Sequence, residues 1–186
     1  MSVRVLFIFI IVTACQANIQ VSPPVTCGYL PRAIHECIGS PHIVKPEISA
    51  QCSKSISECE RMTCVFQKSG WMSGNAVDKD KVKSYFDQFS TDNPQWALAV
   101  NHVKAACLNM DLPSQGVYLN CPAYDILTCV FSGFIKNAQP DQWSSSESCS
   151  YPRQFASACP YCPSDCFAAQ VPIGSCNACL ALPRSP

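Results

Sequence analysis

The chain has 186 residues, with 13 Lys and Arg balanced by 13 Asp and Glu, 48% hydrophobic residues, 14% charged residues and 15 cysteines. A formal net charge of zero gives no electrostatic attraction for nucleic acid or an anionic membrane surface, so both drop out as expected partners. The length suits one domain with a core of its own, which the cysteines reinforce rather than replace.

Residues 1–17 carry one positive charge at Arg4, an apolar run from Val5 to Val12 and small residues ending in Ala17. The run is far shorter than the roughly 20 residues a membrane-spanning helix needs, so the segment reads as a secretory signal peptide. Cleavage after Ala17 removes Cys15 and leaves an even set of fourteen cysteines, suited to full pairing in an oxidising compartment. The competing reading, Val12-Thr13-Ala14-Cys15 as a bacterial lipoprotein box, is disfavoured by so many further cysteines. The expected product is a soluble secreted protein. It has no Asn-x-Ser/Thr sequon, so ordinary N-glycosylation is not expected.

Residues 18–46 hold five prolines and two cysteines with little periodicity, which predicts an extended arm tied down at Cys27 and Cys37, with a short helix near 31–37. Apolar positions at Ile56, Cys59, Met62 or Thr63, and Phe66 predict a helix over 53–69 that stops at Gly70. Over 77–89, Val82, Tyr85, Phe86 and Phe89 share one face opposite Asp78, Lys79, Asp80, Lys81 and Lys83, an amphipathic helix. Asn93-Pro94 reads as a helix start, Asn93 capping free N–H groups and Pro94 in the first helical position. That helix runs through Trp96, Ala99, Val103 and Cys107 to about residue 110. Cys121-Pro122 opens another, carrying Tyr124, Leu127, Val130 or Phe131, and Phe134 to about residue 137. A shorter helix is expected near 153–159. Residues 159–186, with five cysteines and five prolines, read as an irregular stapled tail. No strand is expected, because no Asn-Gly or Asp-Gly turn separates alternating runs. The fold class is all-α, a compact disulfide-crosslinked domain of six to eight helices over 18–158 around an apolar cavity, with 159–186 packed on it.

Cys59-x4-Cys64 is followed by forty-two residues to Cys107, thirteen to Cys121 and seven to Cys129. On a helix, Cys59 and Cys64 point nearly 140° apart and must bond different neighbours. This series resembles the insect odorant-binding proteins, which place two close cysteines on one helix, a fourth about forty residues on, then two more about eight apart. The segment from Gln139-Pro140-Asp141-Gln142-Trp143 through Ser148-Cys149 to Cys159-Pro160 is similar to their Plus-C subgroup. The resemblance spans about Cys27 to Cys162. It departs in the four-residue gap between Cys59 and Cys64, where the family has three, in the seven-residue gap between Cys121 and Cys129, and in the number of tail cysteines. It implies linkage of Cys37, or Cys27, with Cys64, of Cys59 with Cys121, and of Cys107 with Cys129. It further implies a carrier of small hydrophobic ligands such as odorants, pheromones or related lipids, in extracellular fluid such as sensillar lymph, as a monomer or homodimer, with a membrane chemoreceptor as a further partner.

Burial of apolar ligand surface contributes roughly 25 cal/mol per Å², and pockets of about 300–1,000 Å³ suit such ligands. The candidate ligand-binding residues are Phe66, Tyr85, Phe86, Phe89, Trp96, Tyr124, Phe131 and Phe134, with the hydroxyl of Tyr85 or Tyr124 as polar contact. Taken singly, each is better explained as plain core. His35, His42 and His102 are the only groups able to act as a base near neutrality, and none lies in a nucleophile motif, so catalysis is not expected. His102 is also a candidate pH-dependent release switch, with a solvated helix-face histidine as the plainer reading. Cys159-x2-Cys162 and Cys176-x2-Cys179 have four-thiolate zinc spacing, but behind a signal peptide oxidation is favoured, and neither metal nor cofactor is expected. The alternative function is a disulfide-rich interaction module, venom-like or inhibitor-like, without a small-molecule cavity.

Overall fold

The computed structural model describes residues 25–39, 42–172 and 175–180; the expected leader, including Cys15, lies outside them. Seven α-helices are present among these residues: α1 (Ile34–Cys37), α2 (Pro46–Ser49), α3 (Glu58–Lys68), α4 (Lys79–Asp92), α5 (Ala97–Val103), α6 (Pro122–Lys136) and α7 (Ser150–Ala158). None is long and apolar enough to cross a membrane.

Local chemistry sets the boundaries. α3 starts at Glu58 rather than near Ser53, because Ser57 and Glu60 form a capping box: Glu60 N–H donates to Ser57 Oγ at 3.3 Å and Ser57 N–H to Glu60 Oε2 at 3.0 Å. It ends in a Schellman motif, with Trp71 N–H donating to Phe66 O and Gly70 N–H to Gln67 O, at a left-handed Gly70 (φ +74°). Against the expectation of no strand, a hairpin comes next, β1 (Met72–Ser73) paired antiparallel with β2 (Ala76–Val77). Its two-residue turn is Gly74-Asn75, with Gly74 at φ +60°, the position where a hairpin turn calls for glycine. The strands are too short to show alternation. Asp78 caps α4 by accepting from Lys81 N–H.

Asn93 acts in the opposite sense to the expected one. Its Nδ2 donates to Phe89 O at 3.0 Å, so it closes the end of α4 and makes no side-chain cap for the next turn. Pro94 opens a single 3₁₀ turn (Pro94–Trp96), α5 continues from it, and a π turn (Lys104–Leu108) completes the segment.

α6 is the centre of the molecule, packed against α5 and α3 and touching α7. It buries residues almost all round, from Ala123, Ile126 and Leu127 to Val130, Phe134 and Ile135, so it is an interior helix rather than the one-sided helix its spacing suggests. Gly133 permits the close approach of α5, since a Cβ there would stand 2.7 Å from Val103 Cγ2. α1 packs on α7, and Gly39 N–H donates to Gln142 O while Ser144 N–H donates to Cys37 O.

All fourteen described cysteines are paired. Cys59 bonds Cys121 and Cys107 bonds Cys129, the two linkages the family resemblance implies for these residues. Cys64 bonds Cys52, which corrects the linkage with Cys37 or Cys27. The late start of α3 leaves Cys52 before the helix, within reach of Cys64. Cys37 instead bonds Cys149 and Cys27 bonds Cys159, fastening the N-terminal arm to both ends of α7. In the tail, Cys162 bonds Cys179 and Cys166 bonds Cys176. The four cysteines with zinc-like spacing are thereby divided among three disulfides.

Candidate functional site

The aromatic residues of α3, α4 and α6 converge on one another. Phe134 lies 5.3 Å from Trp96, 5.6 Å from Phe89 and 6.2 Å from Phe86, ring centre to ring centre, and Phe66 lies 5.1 Å from Trp71. Phe66, Phe86, Phe89, Trp96 and Phe134 are all buried in this cluster, so five of the eight candidate ligand residues fill the central space with rings. Tyr85 stands at the margin, 4.8 Å from Trp71, and its hydroxyl donates to Ile43 O at 2.9 Å. With Lys45, Ile48 and Trp71 it lines a pocket of about 150 Å³.

Tyr124 and Phe131 are brought together elsewhere. Along α6, Tyr124, Leu127, Thr128 and Phe131 recur three and four residues apart and form one stripe. Opposite them stand Glu58 and Met62 of α3 and the start of the tail, Tyr161 to Asp165, around a pocket of about 190 Å³. A second pocket, of about 260 Å³, continues along α6 past Ser132, Gly133 and Lys136 and reaches His102 of α5. Thr128 and Tyr161 line both. The two pockets are neighbouring compartments of one groove between α6 and the tail. His102 is exposed at its far end.

The tail is held there by a defined set of bonds. Tyr124 Oη donates to both carboxylate oxygens of Asp165 at 3.1 Å. Lys136 Nζ donates to Ala156 O at 2.7 Å and also to Cys159 O. Ala178 N–H donates to Gln115 O at 3.3 Å, and Gln115 N–H donates to Asp125 Oδ1 at 2.6 Å. Gly116 is necessary beside Tyr124: a Cβ at that position would meet the Tyr124 hydroxyl at 2.5 Å. A separate small cluster of Cys162, Cys166 and Cys176, with Val117, Phe167 and Val171 against it, closes the tail on itself.

Burial raises the Tyr161 phenol to about 12, and the negative charges of Glu58 and Asp165 add to the shift. Tyr124 is raised above the usual tyrosine range by burial first and by Asp165 second. Both remain O–H donors at physiological pH, beside the carboxylate of Asp165.

Asp125, only 5% exposed, has its pKa raised by burial, with the Gln115 N–H opposing. A carboxyl whose folded pKa lies above its unfolded value contributes least once ionised, so its contribution to stability falls as pH rises from the ordinary carboxylate range through the raised value. Asp125→Asn, which keeps the acceptor and removes the charge, is expected to leave stability at pH 7 unchanged or improved and to flatten that fall. Asp125→Ala strands the Gln115 N–H and is expected to cost about 1–3 kcal/mol. Denaturant titrations at pH 4 and pH 7 separate the two; equal loss in both variants would contradict this account.

Comparison with models of protein families finds none that matches this chain, and comparison with curated proteins gives no match. Its chemistry is therefore read from its own residues. Among the lining residues outside the expected set, Leu127 and Met62 have a sequence signal, their places on the apolar stripes of predicted helices. Glu58, Thr128, Tyr161 and Asp165 enter through pairing of α6 with α3 and the tail, which no spacing announces.

Proposed function

We propose that the chain is a secreted carrier of small, largely apolar ligands, with a design like that of the Plus-C odorant-binding proteins, and that the ligand lies in the groove between α6 and the tail. The observation that carries this reading is the pair of pockets along α6 that share Thr128 and Tyr161, the first of them lined also by Leu127 and Phe131. Each falls below the roughly 300 Å³ usual for a drug-sized ligand, which suits a small one. The disulfides Cys59–Cys121 and Cys107–Cys129 support the design. Seven disulfides suit an oxidising, extracellular setting.

The test is competition for a fluorescent apolar reporter, 1-aminoanthracene, by a panel of volatile and fatty ligands, using the oxidised mature protein. Saturable micromolar binding that ligands displace is expected, together with loss of binding in Thr128→Trp, whose indole occupies both compartments. Unchanged binding in a folded Thr128→Trp variant would place the ligand elsewhere.

A second reading, a crosslinked module that binds another protein, draws on the loop before α6, where Met110 is 60% and Leu119 80% exposed. A partner docked there is insensitive to Thr128→Trp, which separates the readings.

A further inference from the structure

We infer that the compartment of the groove between α3, α6 and the tail selects small organic cations, an ammonium group on an aromatic or short aliphatic body, over neutral molecules of the same shape; this rests on the groove being the ligand site. Three features of the pocket between α3, α6 and the tail converge on that chemistry. First, two of its lining residues are acidic, Glu58 at the mouth and Asp165 inside the turn of the tail, and none is basic. Second, Asp165 has no basic partner among the described residues. Its carboxylate accepts the Tyr124 O–H on both oxygens, which fixes the group in position without neutralising it. Glu58 is half exposed and is paired at 3.5 Å with the partly buried Arg61, one turn further along α3. Third, three aromatic side chains line the pocket. Tyr124, Phe131 and Tyr161 surround the acidic end, and aromatic faces attract cations electrostatically.

The charge pattern argues equally against the opposite ligand. A fatty acid carboxylate in this pocket would meet Asp165 and Glu58 with no lysine or arginine to receive it, and repulsion by fixed like charges is a strong device for rejecting a partner. Thr128 and Ser164 add hydroxyls that accept from an ammonium N–H as readily as they donate. The tail is therefore more than a cover: it supplies Asp165 and Tyr161, the charged and aromatic groups on which the selection depends.

The experiment compares phenethylammonium with 2-phenylethanol, matched in shape and different in charge, by competition and by calorimetry at pH 7 in low salt. The wild-type protein is expected to bind the ammonium about ten-fold more tightly, an advantage that salt reduces. In Asp165→Asn, which keeps an acceptor for the Tyr124 hydroxyl, affinity for phenethylammonium is expected to fall about ten-fold while that for 2-phenylethanol changes less than about two-fold. Glu58→Gln, at the exposed mouth, is expected to give a smaller fall of the same kind. Equal binding of the two probes to the wild-type protein would overturn the cation selectivity and leave the groove as a ligand site. Equal loss of both probes in Asp165→Asn would overturn it too, by making Asp165 a support for the tail alone. Absence of binding by either probe and by the reporter dye would overturn the groove reading and this inference together.

Discussion

Replacing Cys37 and Cys149 by alanine is expected to lower the midpoint of thermal unfolding by about 6–12 °C, and replacing Cys27 and Cys159 as well by about twice that or more. The two bridges are nested. The first spans 112 residues and the second 132, but with one in place the other closes only a ring of roughly twenty residues, the ten from 27 to 37 and the ten from 149 to 159. Chain entropy assigns such a ring about 3 kcal/mol. With both removed, the ends of the chain are joined only through Cys59–Cys121, and the effective loop rises to roughly fifty residues, for a combined cost near 7 kcal/mol. Against a usual total of about 5–15 kcal/mol, the double removal consumes most of the stability while the single removal is survivable. Thermal scans of the two variants beside the wild-type protein under non-reducing conditions check the ordering. A loss on removing one bridge equal to the loss on removing both would contradict the nesting.

Cutting the tail staples is expected to have the reverse signature. With Cys162, Cys166, Cys176 and Cys179 all replaced by alanine, ligand affinity should fall more than ten-fold while the main unfolding transition moves by only a few degrees. These bridges close loops of 17 and 10 residues within the tail, and the cluster they tie is separate from the core around α6. Cys159 remains bonded to Cys27, so the tail stays anchored at its start. What is lost is the fixed position of Tyr161 and Asp165 over α6, and a site populated only part of the time binds more weakly in proportion. Retained affinity in the four-alanine variant would remove the tail from the site. A large drop in the main transition would show the tail to be part of the folding unit.

The helical class and the positions of α4 and α6 are legible in the sequence because periodicity and caps speak directly: Val82, Phe86 and Phe89 recur on one face, and Cys121-Pro122 starts a helix. Asn93 is ambiguous because one Asn-Pro junction serves two helices, and side-chain reach decides which end it closes. The hairpin escapes detection although Gly74-Asn75 is a turn signal, since two-residue strands leave no alternation to find. The partner of Cys64 depends on where α3 begins, well beyond the first plausible serine, and the capping box of Ser57 with Glu60 settles that start. The aromatic residues belong on inward faces as their spacing indicates, but periodicity does not distinguish rings that meet one another from rings that meet a ligand. Phe134 meets Trp96, Phe89 and Phe86; Phe131, three residues earlier on α6, faces the groove instead. Tyr161 and Asp165 carry no signal at all, because irregular chain is positioned by disulfides and hydrogen bonds rather than by repeat.

The most direct measurement of where a ligand sits is the amide chemical-shift map of the isotopically labelled, oxidised protein titrated with phenethylammonium. The largest changes are expected at Tyr124, Thr128 and Phe131 of α6 and at Tyr161 and Asp165 of the tail, with Phe86, Phe89 and Trp96 nearly still. Changes centred on the aromatic cluster, or on the loop bearing Met110 and Leu119, would contradict the groove between α6 and the tail as the carrier site.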